Sequence, residues 1–361
     1  MAWTKYQIGL AVLMVFTGSI NTLTTKWADH LKAAGSDGKT RDFDHPFVQA
    51  CCMFFGEMLC FLVFKSVYSY HRKRGTVDEN ELVKGNQEFN PFLFFPASMC
   101  DMIGTSMMYI GLNLTSPSSF QMLRGSVIVF VALLSKFFLH RTVGLKKWIG
   151  IILVIIGLCV VGVSDFLLSS GSSKESTTNM IIGDLIIVVA QVITASQMVY
   201  EEKFVSTRDI PPLQAVGWEG IWGFLVLGIL QVPFYYIKVP KPFQNNSNGS
   251  LEDFIDAMVQ CWNEKLLIVS LIGTIISIAF FNFAGISVTK EMSATTRMIL
   301  DSVRTLFIWA FSLSTRWQLF HPLQIVGFIL LLIGMATYND LIPCSRRKKD
   351  ETLVNSQDES A

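Results

Sequence analysis

Charged residues are scarce in this chain of 361 residues. Asp, Glu, Lys and Arg together make up 16% of the sequence, whereas hydrophobic residues make up 51%. In a soluble domain about a quarter of the residues are charged, because charge keeps the surface hydrated. The composition therefore excludes an ordinary soluble protein and favours a membrane protein.

Motifs for catalysis, metal binding and cofactors are also lacking. The sequence has neither a glycine-rich phosphate-binding loop nor an HExxH motif, and its five His are scattered. Two of them, His45 and His321, stand directly before prolines at predicted helix starts. These absences argue against an enzyme and indicate neither a cofactor nor a metal.

Net charge and cysteine spacing exclude further classes. The formal net charge of +1 gives no basic field that would attract nucleic acid. The cysteines in predicted helices have neither metal-ligand nor disulfide spacing, so we interpret them as small apolar side chains. They are Cys51, Cys52, Cys60, Cys100 and Cys159. Cys344 precedes four basic residues and is either a palmitoylation site or a free thiol.

Long apolar runs are abundant. Five of them lack charged residues altogether, at 6–25, 148–164, 220–237, 266–289 and 317–339. Five others contain one to three ionisable groups, at 46–70, 92–113, 118–139, 180–200 and 293–315. Each run approaches or exceeds the ~20 residues that a helix needs to cross a bilayer. The runs do not alternate as in a membrane β-barrel, so they predict an all-α protein with ten transmembrane helices.

The chain also contains a repeat. Segment 111–124 recurs as 285–297, and in both copies a short turn of small residues lies between two apolar runs. The matched residues are Gly111, Thr115 and Ser119 with Gly285, Thr289 and Ser293, each 174 residues later. Further matches pair Gly150 and Gly157 with Gly327 and Gly334, 177 residues later, and residues 46–50 with 211–215. Such duplication is typical of secondary transporters, whose binding site lies where the halves meet.

The repeat predicts the domain organisation. We expect a first five-helix repeat at 1–168, a linker at 169–179, a second repeat at 180–342 and a disordered cytosolic tail at 343–361. An odd number of spans gives the two repeats opposite topology in the membrane. The first run could pass for a signal peptide, but it continues to Thr25 and the repeat requires it, so we predict an uncleaved helix.

Basic residues indicate the orientation. Fifteen Lys and Arg lie on the side that holds both termini and nine on the other side, which favours cytosolic termini. Two glycosylation sequons, at Asn245 and Asn248, fall in a loop that this topology places on the luminal or outer side. A third sequon, at Asn113, lies too close to the membrane to be a good acceptor.

Ionisable groups inside the predicted helices are the candidate site. Each costs at least ~2.5 kcal/mol to insert, so each should face protein or water. Glu57 and Glu219 follow the repeated Gln-Ala pair and lie on nearly one helical face in equivalent helices. Two such carboxylates can bind coupling protons or a cationic group on a solute. Alternatively, each is a buried acid that only hydrogen-bonds a neighbouring helix.

Arg124 and Arg297 enter the fourth and ninth predicted helices one turn after the repeated turn. A guanidinium there suits a phosphate or carboxylate, which it can bind through two parallel hydrogen bonds. Arg297, Asp301 and Arg304 share one helical face, and the alternative is an intrahelical ion network, which we favour for Arg304. Arg124 has no acid on its own helix. Asp101, on another predicted helix, is a candidate partner for it.

Several uncharged polar residues complete the predicted site. They can line a polar pathway or only join helices through hydrogen bonds. The full candidate set is Asn21, Gln49, Glu57, Asp101, Gln121, Arg124, Gln197, Glu219, Asn282, Arg297 and Asp301. Glu201, Glu202 and Lys203 are interpreted instead as the solvated end of a helix.

The pattern resembles a known family. The two five-helix units, together with segments 18–23, 109–125, 201–204 and 280–291, are similar to the drug/metabolite transporter superfamily. Within it they resemble the nucleotide-sugar-transporter branch, solute carrier family 35, and subfamily F in particular. The resemblance covers about residues 1–342. It implies a ten-helix carrier that works by alternating access in an endomembrane, with the lysosome favoured over the Golgi and mitochondria.

Two functions remain open at this point. The first is a secondary transporter, set in the lipid bilayer, that carries a small polar organic solute, either exchanged or coupled to protons, with nucleotide sugars among the candidates. Glu57 and Glu219 fit a doubly anionic nucleotide sugar poorly. The second is a non-transporting membrane adaptor that acts on mitochondrial membrane potential or cell survival through protein partners. The sequence leaves the oligomeric state open, a homodimer included.

Overall fold

The computed structural model describes residues 3–77, 80, 82–115, 120, 123–139, 144–169, 174–240, 246–314 and 322–338. In these ranges the chain is mostly helical. A capping box starts the first helix, because the Thr4 hydroxyl accepts from the backbone of Gln7 while the Gln7 side chain accepts from the backbone of Thr4. Tyr6 and the apolar residues after it then continue the helix through the first predicted span.

The described residues up to Ser169 contain five helices and one hairpin. The elements are α1 (Lys5–His30), β1 (Lys32–Ala34), β2 (Thr40–Asp42), α2 (Pro46–Arg74), α3 (Phe95–Leu114), α4 (Val127–Phe138) and α5 (Leu145–Ser169). Short 3-10 turns at Pro91–Phe94 and Arg124–Ser126 precede α3 and α4. Proline at the first position of α2 and a left-handed Gly75 after its end set the bounds of that helix.

The residues described from Lys174 onward contain six helices. They are α6 (Lys174–Thr207), α7 (Pro212–Tyr236), α8 (Phe254–Asn263), α9 (Lys265–Glu291), α10 (Ala294–Ser314) and α11 (Pro322–Tyr338). Helix α8 is short and lies in the loop between α7 and α9. Helix α6 begins at Lys174, inside the segment that the sequence analysis assigned to a linker without secondary structure.

Five of the described helices are long and apolar enough to cross a membrane. They are α1, α2, the Thr178–Thr207 part of α6, α7 and α9. Many large apolar side chains on the outer helix faces are exposed, as they are in a protein that lipid surrounds. The expected helical class is confirmed, and one short hairpin lies outside the long helices. The polar loop after α1 forms an antiparallel hairpin, with Ala33 opposite Arg41.

Helices far apart in sequence pack side by side. The most extensive contacts join α1 to α9, α2 to α7, α3 to α6, and α5 to α11. Helix α1 also packs on α10, and α4 packs on α6. Every one of these pairs joins a helix of the first part of the chain to one of the later part. The space between the pairs is where the candidate site lies.

Small residues bring α5 and α11 close together. A Cβ atom on Gly150 would lie 2.6 Å from the Tyr338 backbone nitrogen and 2.7 Å from the Gly334 carbonyl oxygen. A Cβ on Gly157 would similarly lie 2.8 Å from the Gly327 carbonyl oxygen. These atoms belong to the backbone and cannot rotate away. Gly150 and Gly157 therefore allow the close approach of α5 and α11.

A buried ion cluster fixes the hairpin to the helices beside it. His45, directly before α2, places Nδ1 2.7 Å from Glu252 Oε1 and Nε2 3.4 Å from Asp256 Oδ2. The other oxygen of Glu252 accepts from the Phe47 backbone nitrogen at 2.9 Å, so it caps α2. Arg41 of the hairpin donates to Asp256 at 3.2 Å. The sequence analysis missed this cluster, because it treated His45 as isolated.

The charges of this cluster support one another. Burial of the His45 ring opposes its protonation, but hydrogen bonds to Asp256 and Glu252 outweigh burial and raise the pKa of His45 to about 9. Burial also disfavours the Asp256 carboxylate, yet hydrogen bonds from His45 and Ser36 and the charge of Arg41 hold its pKa well below the usual range. The imidazolium is thus the stable form at neutral pH, and both ring nitrogens donate.

We expect Gly150→Ala to destabilise the protein, because the new Cβ must push α5 away from the α11 backbone. Overpacking of this kind costs about 1–3 kcal/mol. The matched control is Gly228→Ala in α7, where a Cβ would meet no atom within 4 Å. Thermal unfolding in detergent should show a lower midpoint for Gly150→Ala alone. Equal midpoints for the two variants would contradict the close approach.

We also expect stability to fall as the pH rises through about 9. The folded state holds the His45 proton more tightly than the unfolded chain, whose His pKa is near 6.5. The contribution is therefore complete below pH 6.5, shrinks above it and is lost above about 9, a difference of about 3 kcal/mol. Denaturation midpoints measured from pH 6 to 10 check this. His45→Gln should flatten the profile, whereas the control His30→Gln, at an exposed position, should leave it unchanged.

Candidate solute-binding site

A polar cavity of about 190 Å³ lies between the packed helices. Helices α1, α3, α6, α7, α9 and α10 and the turn before α4 contribute to its walls. Its charged and amide-bearing lining residues are Asn21, Lys26, Asp29, Asp101, Arg124, Gln191, Gln197, Glu219, Asn282, Arg297, Asp301 and Arg304. A polar chamber of this kind makes ionisable groups within apolar helices tolerable.

Most of the predicted site residues share this cavity. Eight of the eleven candidates line it: Asn21, Asp101, Arg124, Gln197, Glu219, Asn282, Arg297 and Asp301. Glu57 lies behind the wall and accepts a hydrogen bond from the Asn282 amide. Gln49 likewise lies behind Asp29 and donates to its carboxylate at 2.7 Å. Gln121 lies outside the described residues. Solute binding by these residues stays a prediction.

The crossing of α2 and α7 brings the two expected carboxylates together. A Cβ on Gly220 would lie 2.6 Å from the Glu57 carbonyl carbon and from the Glu57 Cβ. The two helices therefore touch at the residue next to Glu219, which is buried at the cavity wall. Asp101 of α3 lines the same cavity and accepts from the Thr105 hydroxyl at 3.3 Å. Three carboxyl groups from three helices thus lie close to one part of the cavity.

Arg297 pairs with an acid that the sequence analysis misplaced. Its guanidinium binds the Glu201 carboxylate across the α6–α10 contact, and both side chains are buried. Gln197, one turn earlier in α6, donates to the other Glu201 oxygen at 2.8 Å. The interpretation of Glu201 and Glu202 as a solvated helix end was wrong, because both residues are buried and α6 continues to Thr207.

Arg124 and Arg304 share one carboxylate. Asp301 lies 2.7 Å from the Arg304 Nη2 and 3.9 Å from the Arg124 Nη2. The expected intrahelical contact between Asp301 and Arg304 is therefore present, but the partner of Arg124 is Asp301 and not Asp101. Arg304 also stacks over the Phe281 ring at 4.7 Å, and Arg124 over the Phe120 ring at 5.7 Å.

The sequence analysis missed three polar groups of the cavity. Lys26 and Asp29 stand just after the charge-free run of the first helix, and the analysis counted Lys26 with the following loop. Helix α1 continues to His30, which places both side chains in the cavity wall. Their spacing of three residues, one helical turn, was a signal that could have found them. The third residue, Gln191 of α6, was not among the candidates.

Several lining groups have spare hydrogen-bonding capacity. Glu219 Oε1, Gln191 Nε2, Arg297 Nε and Arg304 Nε are buried and have no hydrogen-bond partner among the described residues. A buried polar atom without a partner is costly, so four of them around one cavity indicate a place for solvent or a polar ligand. Acceptors and donors are both represented. The described residues contain no cluster of three or more His, Cys, Asp or Glu that could hold a metal.

The predicted glycosylation loop is partly described. The Asn248 side chain accepts from Lys238 Nζ at 2.7 Å, and the sequon residue Ser250 is buried against Asn246. Asn245 lies outside the described residues. Use of either sequon stays a prediction.

Comparisons with known proteins agree with a transporter fold. Residues 8–163 match the EamA-like transporter family. A solved crystal structure, 13% identical in sequence, superposes with a TM-score of 0.55 over 94% of this chain and 99% of its own. At that identity the similarity shows the fold alone.

Curated relatives match nearly the whole chain. The human protein named Solute carrier family 35 member F6 is 54% identical over 342 residues, which cover 94% of this chain and 91% of the human protein. The rat protein of the same name is 51% identical over 364 residues, with 99% and 96% covered. An uncharacterized protein of Schizosaccharomyces pombe is 32% identical over 339 residues, with 92% and 97% covered. The chain therefore belongs to solute carrier family 35 and is a multi-pass membrane protein of this transporter family.

Proposed function

We propose that the protein is a secondary transporter that carries a small polar organic solute by alternating access. The observation that supports this proposal best is the polar cavity with four buried polar atoms that have no hydrogen-bond partner among the described residues. A membrane protein that only joined other proteins would have no need to keep eight ionisable groups around a central space. Placing each such group in a membrane costs free energy unless the group interacts with a ligand, with water or with another polar group of the protein.

The packing of the helices supports two five-helix repeats of opposite topology within ten spans. If α1 to α5 correspond to α6, α7, α9, α10 and α11, the contact of α1 with α9 is equivalent to that of α6 with α3. The contact of α1 with α10 is likewise equivalent to that of α6 with α4. The remaining pairs, α2 with α7 and α5 with α11, each join equivalent helices. This is the pattern that a two-fold axis between inverted repeats produces.

Several finer points belong to the same proposal. Nucleotide sugars are one candidate solute class, and protons are a candidate coupling ion because Glu57, Glu219 and Asp101 can take them up. The location is an endomembrane, with the lysosome favoured, and both termini face the cytosol. The basic residues of the short loops and the sequons of the 238–265 loop support this orientation.

Counterflow in proteoliposomes tests the proposal. Purified full-length protein is reconstituted in liposomes that are preloaded with unlabelled nucleotide sugars, nucleosides, organic cations or amino acids. A carrier that alternates between two faces should take up the labelled form of its own solute faster when unlabelled solute is inside. The measurement is repeated with and without a pH gradient to detect proton coupling.

Cavity variants should lose this activity without losing their fold. Glu219→Gln and Arg124→Gln each remove one charge from the cavity wall, and we expect uptake to fall about tenfold or more, since a charge-assisted hydrogen bond contributes ~1.5–3 kcal/mol. The controls are Glu291→Gln and Arg208→Gln, at exposed positions outside the cavity. Uptake should stay near wild type in both controls.

The opposite outcome favours the adaptor. If the folded protein takes up no solute class, and if Glu57→Gln, Glu219→Gln and Arg124→Ala leave the cellular phenotype unchanged, the transporter proposal is wrong. The protein would then act through protein partners. Gel filtration and thermal unfolding establish that each variant is folded before uptake is compared.

A further inference from the structure

One part of the cavity wall has an excess of positive charge. Arg124 and Arg304 lie at opposite oxygens of Asp301, so one carboxylate neutralises two guanidinium groups. Arg304 is nearly fully buried, and its Nε has no hydrogen-bond partner among the described residues. The Phe281 and Phe120 rings hold the two guanidinium groups on their faces. A guanidinium held in this way suits a carboxylate or phosphate oxygen.

Another part of the wall has an excess of carboxyl groups. Asp101 and Glu219 line the cavity, Glu57 lies directly behind Asn282, and Glu201 is bound to Arg297. Four carboxyl groups therefore accompany a single guanidinium. Glu219 Oε1 has no partner among the described residues, which leaves an acceptor at the wall. An ammonium group has three donors and a positive charge. It would offset the excess of carboxyl groups and donate a hydrogen bond to Glu219 Oε1.

The cavity is small for a transporter of large solutes. Its volume of about 190 Å³ lies below the ~300–1,000 Å³ of pockets that enclose drug-sized ligands. A nucleotide sugar would exceed this space. It would also bring two negative charges to a wall with one unneutralised guanidinium and several carboxyl groups. A simple organic cation would leave the excess charge of Arg124 and Arg304 without a partner.

We propose that the transported solute is a small zwitterion, of the size of an amino acid, with its acid group at Arg124 and Arg304 and its ammonium group at Glu219 and Asp101. This inference rests on the proposed transport function and names its solute class. Gln191 Nε2 lines the same cavity, has no hydrogen-bond partner among the residues that the structure describes, and supplies an additional hydrogen bond to the solute. The Tyr109, Phe120 and Phe281 rings give the solute's carbon skeleton an apolar surface.

Matched triplets of compounds test the proposal on the full-length protein in proteoliposomes. Phenylalanine, phenethylamine and 3-phenylpropionate share one skeleton but carry both charges, the amine alone or the acid alone. A second triplet of 4-aminobutyrate, butylamine and butyrate covers a larger separation of charges. In at least one triplet the zwitterion should bind and show counterflow at least ~10-fold better than either analogue. Each analogue lacks one charged group and therefore loses one of the two ion pairs.

Wall variants should change specificity in opposite directions. Arg124→Gln should abolish the preference for the zwitterion over the amine while the preference over the acid persists. Glu219→Gln should abolish the preference over the acid while the preference over the amine persists. Glu291→Gln, at an exposed position outside the cavity, should retain both preferences. If Arg124 and Glu219 had only a structural role, their variants would reduce the transport of all three compounds alike. That result would overturn the assignment.

The failures of the two proposals are distinguishable. If nucleotide sugars or nucleosides show counterflow and no zwitterion does, or if the acid alone is carried together with a proton, the zwitterion proposal is wrong and the transport function stands. If the folded protein carries no compound of any class, the transport function itself fails. Equal transport of all three members of each triplet would likewise contradict recognition by two charges.

Discussion

The cost of placing charge inside a membrane governs this structure. Hydrocarbon offers an ionisable group neither water nor counter-ions, so the group must find both within the protein. Helices α1, α3, α7 and α10 all carry such groups, and all of them direct at least one into the same cavity. The apolar residues meanwhile cover the outer faces, where many are exposed to the surroundings of the protein. The polar chamber is therefore what allows these sequences to remain in a bilayer.

Close helix packing determines the shape of that chamber. Gly220 lets α2 approach α7 so closely that the two helices meet at Glu57. Gly150 likewise lets α5 approach the backbone of α11. In a membrane the hydrophobic effect does not distinguish helix contact from lipid contact, so van der Waals packing and hydrogen bonds must hold helices together. Hydrogen bonds from Asn21 to the Thr274 carbonyl and from Ser270 to the Thr24 carbonyl join α1 to α9 in this way. The fixed crossings then hold the charged side chains in place.

The helical class and most of the polar residues at the cavity could be predicted from the sequence. Both follow from the free-energy cost of placing a residue in hydrocarbon, which depends on the type of that residue alone. An ionisable group in an apolar run must face inward, and Glu219 and Arg124 do so. Pairing between helices was harder to predict. Arg124 faces Asp301 rather than Asp101, because the choice depends on which helices are neighbours. Glu201 was misjudged for the same reason, since its partner Arg297 is 96 residues away.

Loop structure was beyond the sequence argument for a related reason. His45 becomes meaningful only beside Glu252 and Asp256, more than 200 residues later. Periodicity carries no information on such contacts. Lys26 and Asp29 escaped notice because the apolar run ends before them although the helix does not. The missing information was tertiary for His45 and concerned the end of the helix for Lys26 and Asp29.

Arg124 and Arg297 lie at corresponding places in the two halves of the chain. Their different partners suggest how the proposed transport cycle would work. Arg297 is bound to Glu201, an acid outside the cavity lining, whereas Arg124 is shared with Arg304 on Asp301 at the cavity wall. If the two halves are the proposed inverted repeats, two equivalent positions thus have unequal partners. Alternating access between inverted repeats requires such inequality, because each repeat adopts in turn the conformation that the other has left. Under the proposed cycle, the opposite conformation would therefore release Arg297 from Glu201 as Arg124 acquires a closer partner.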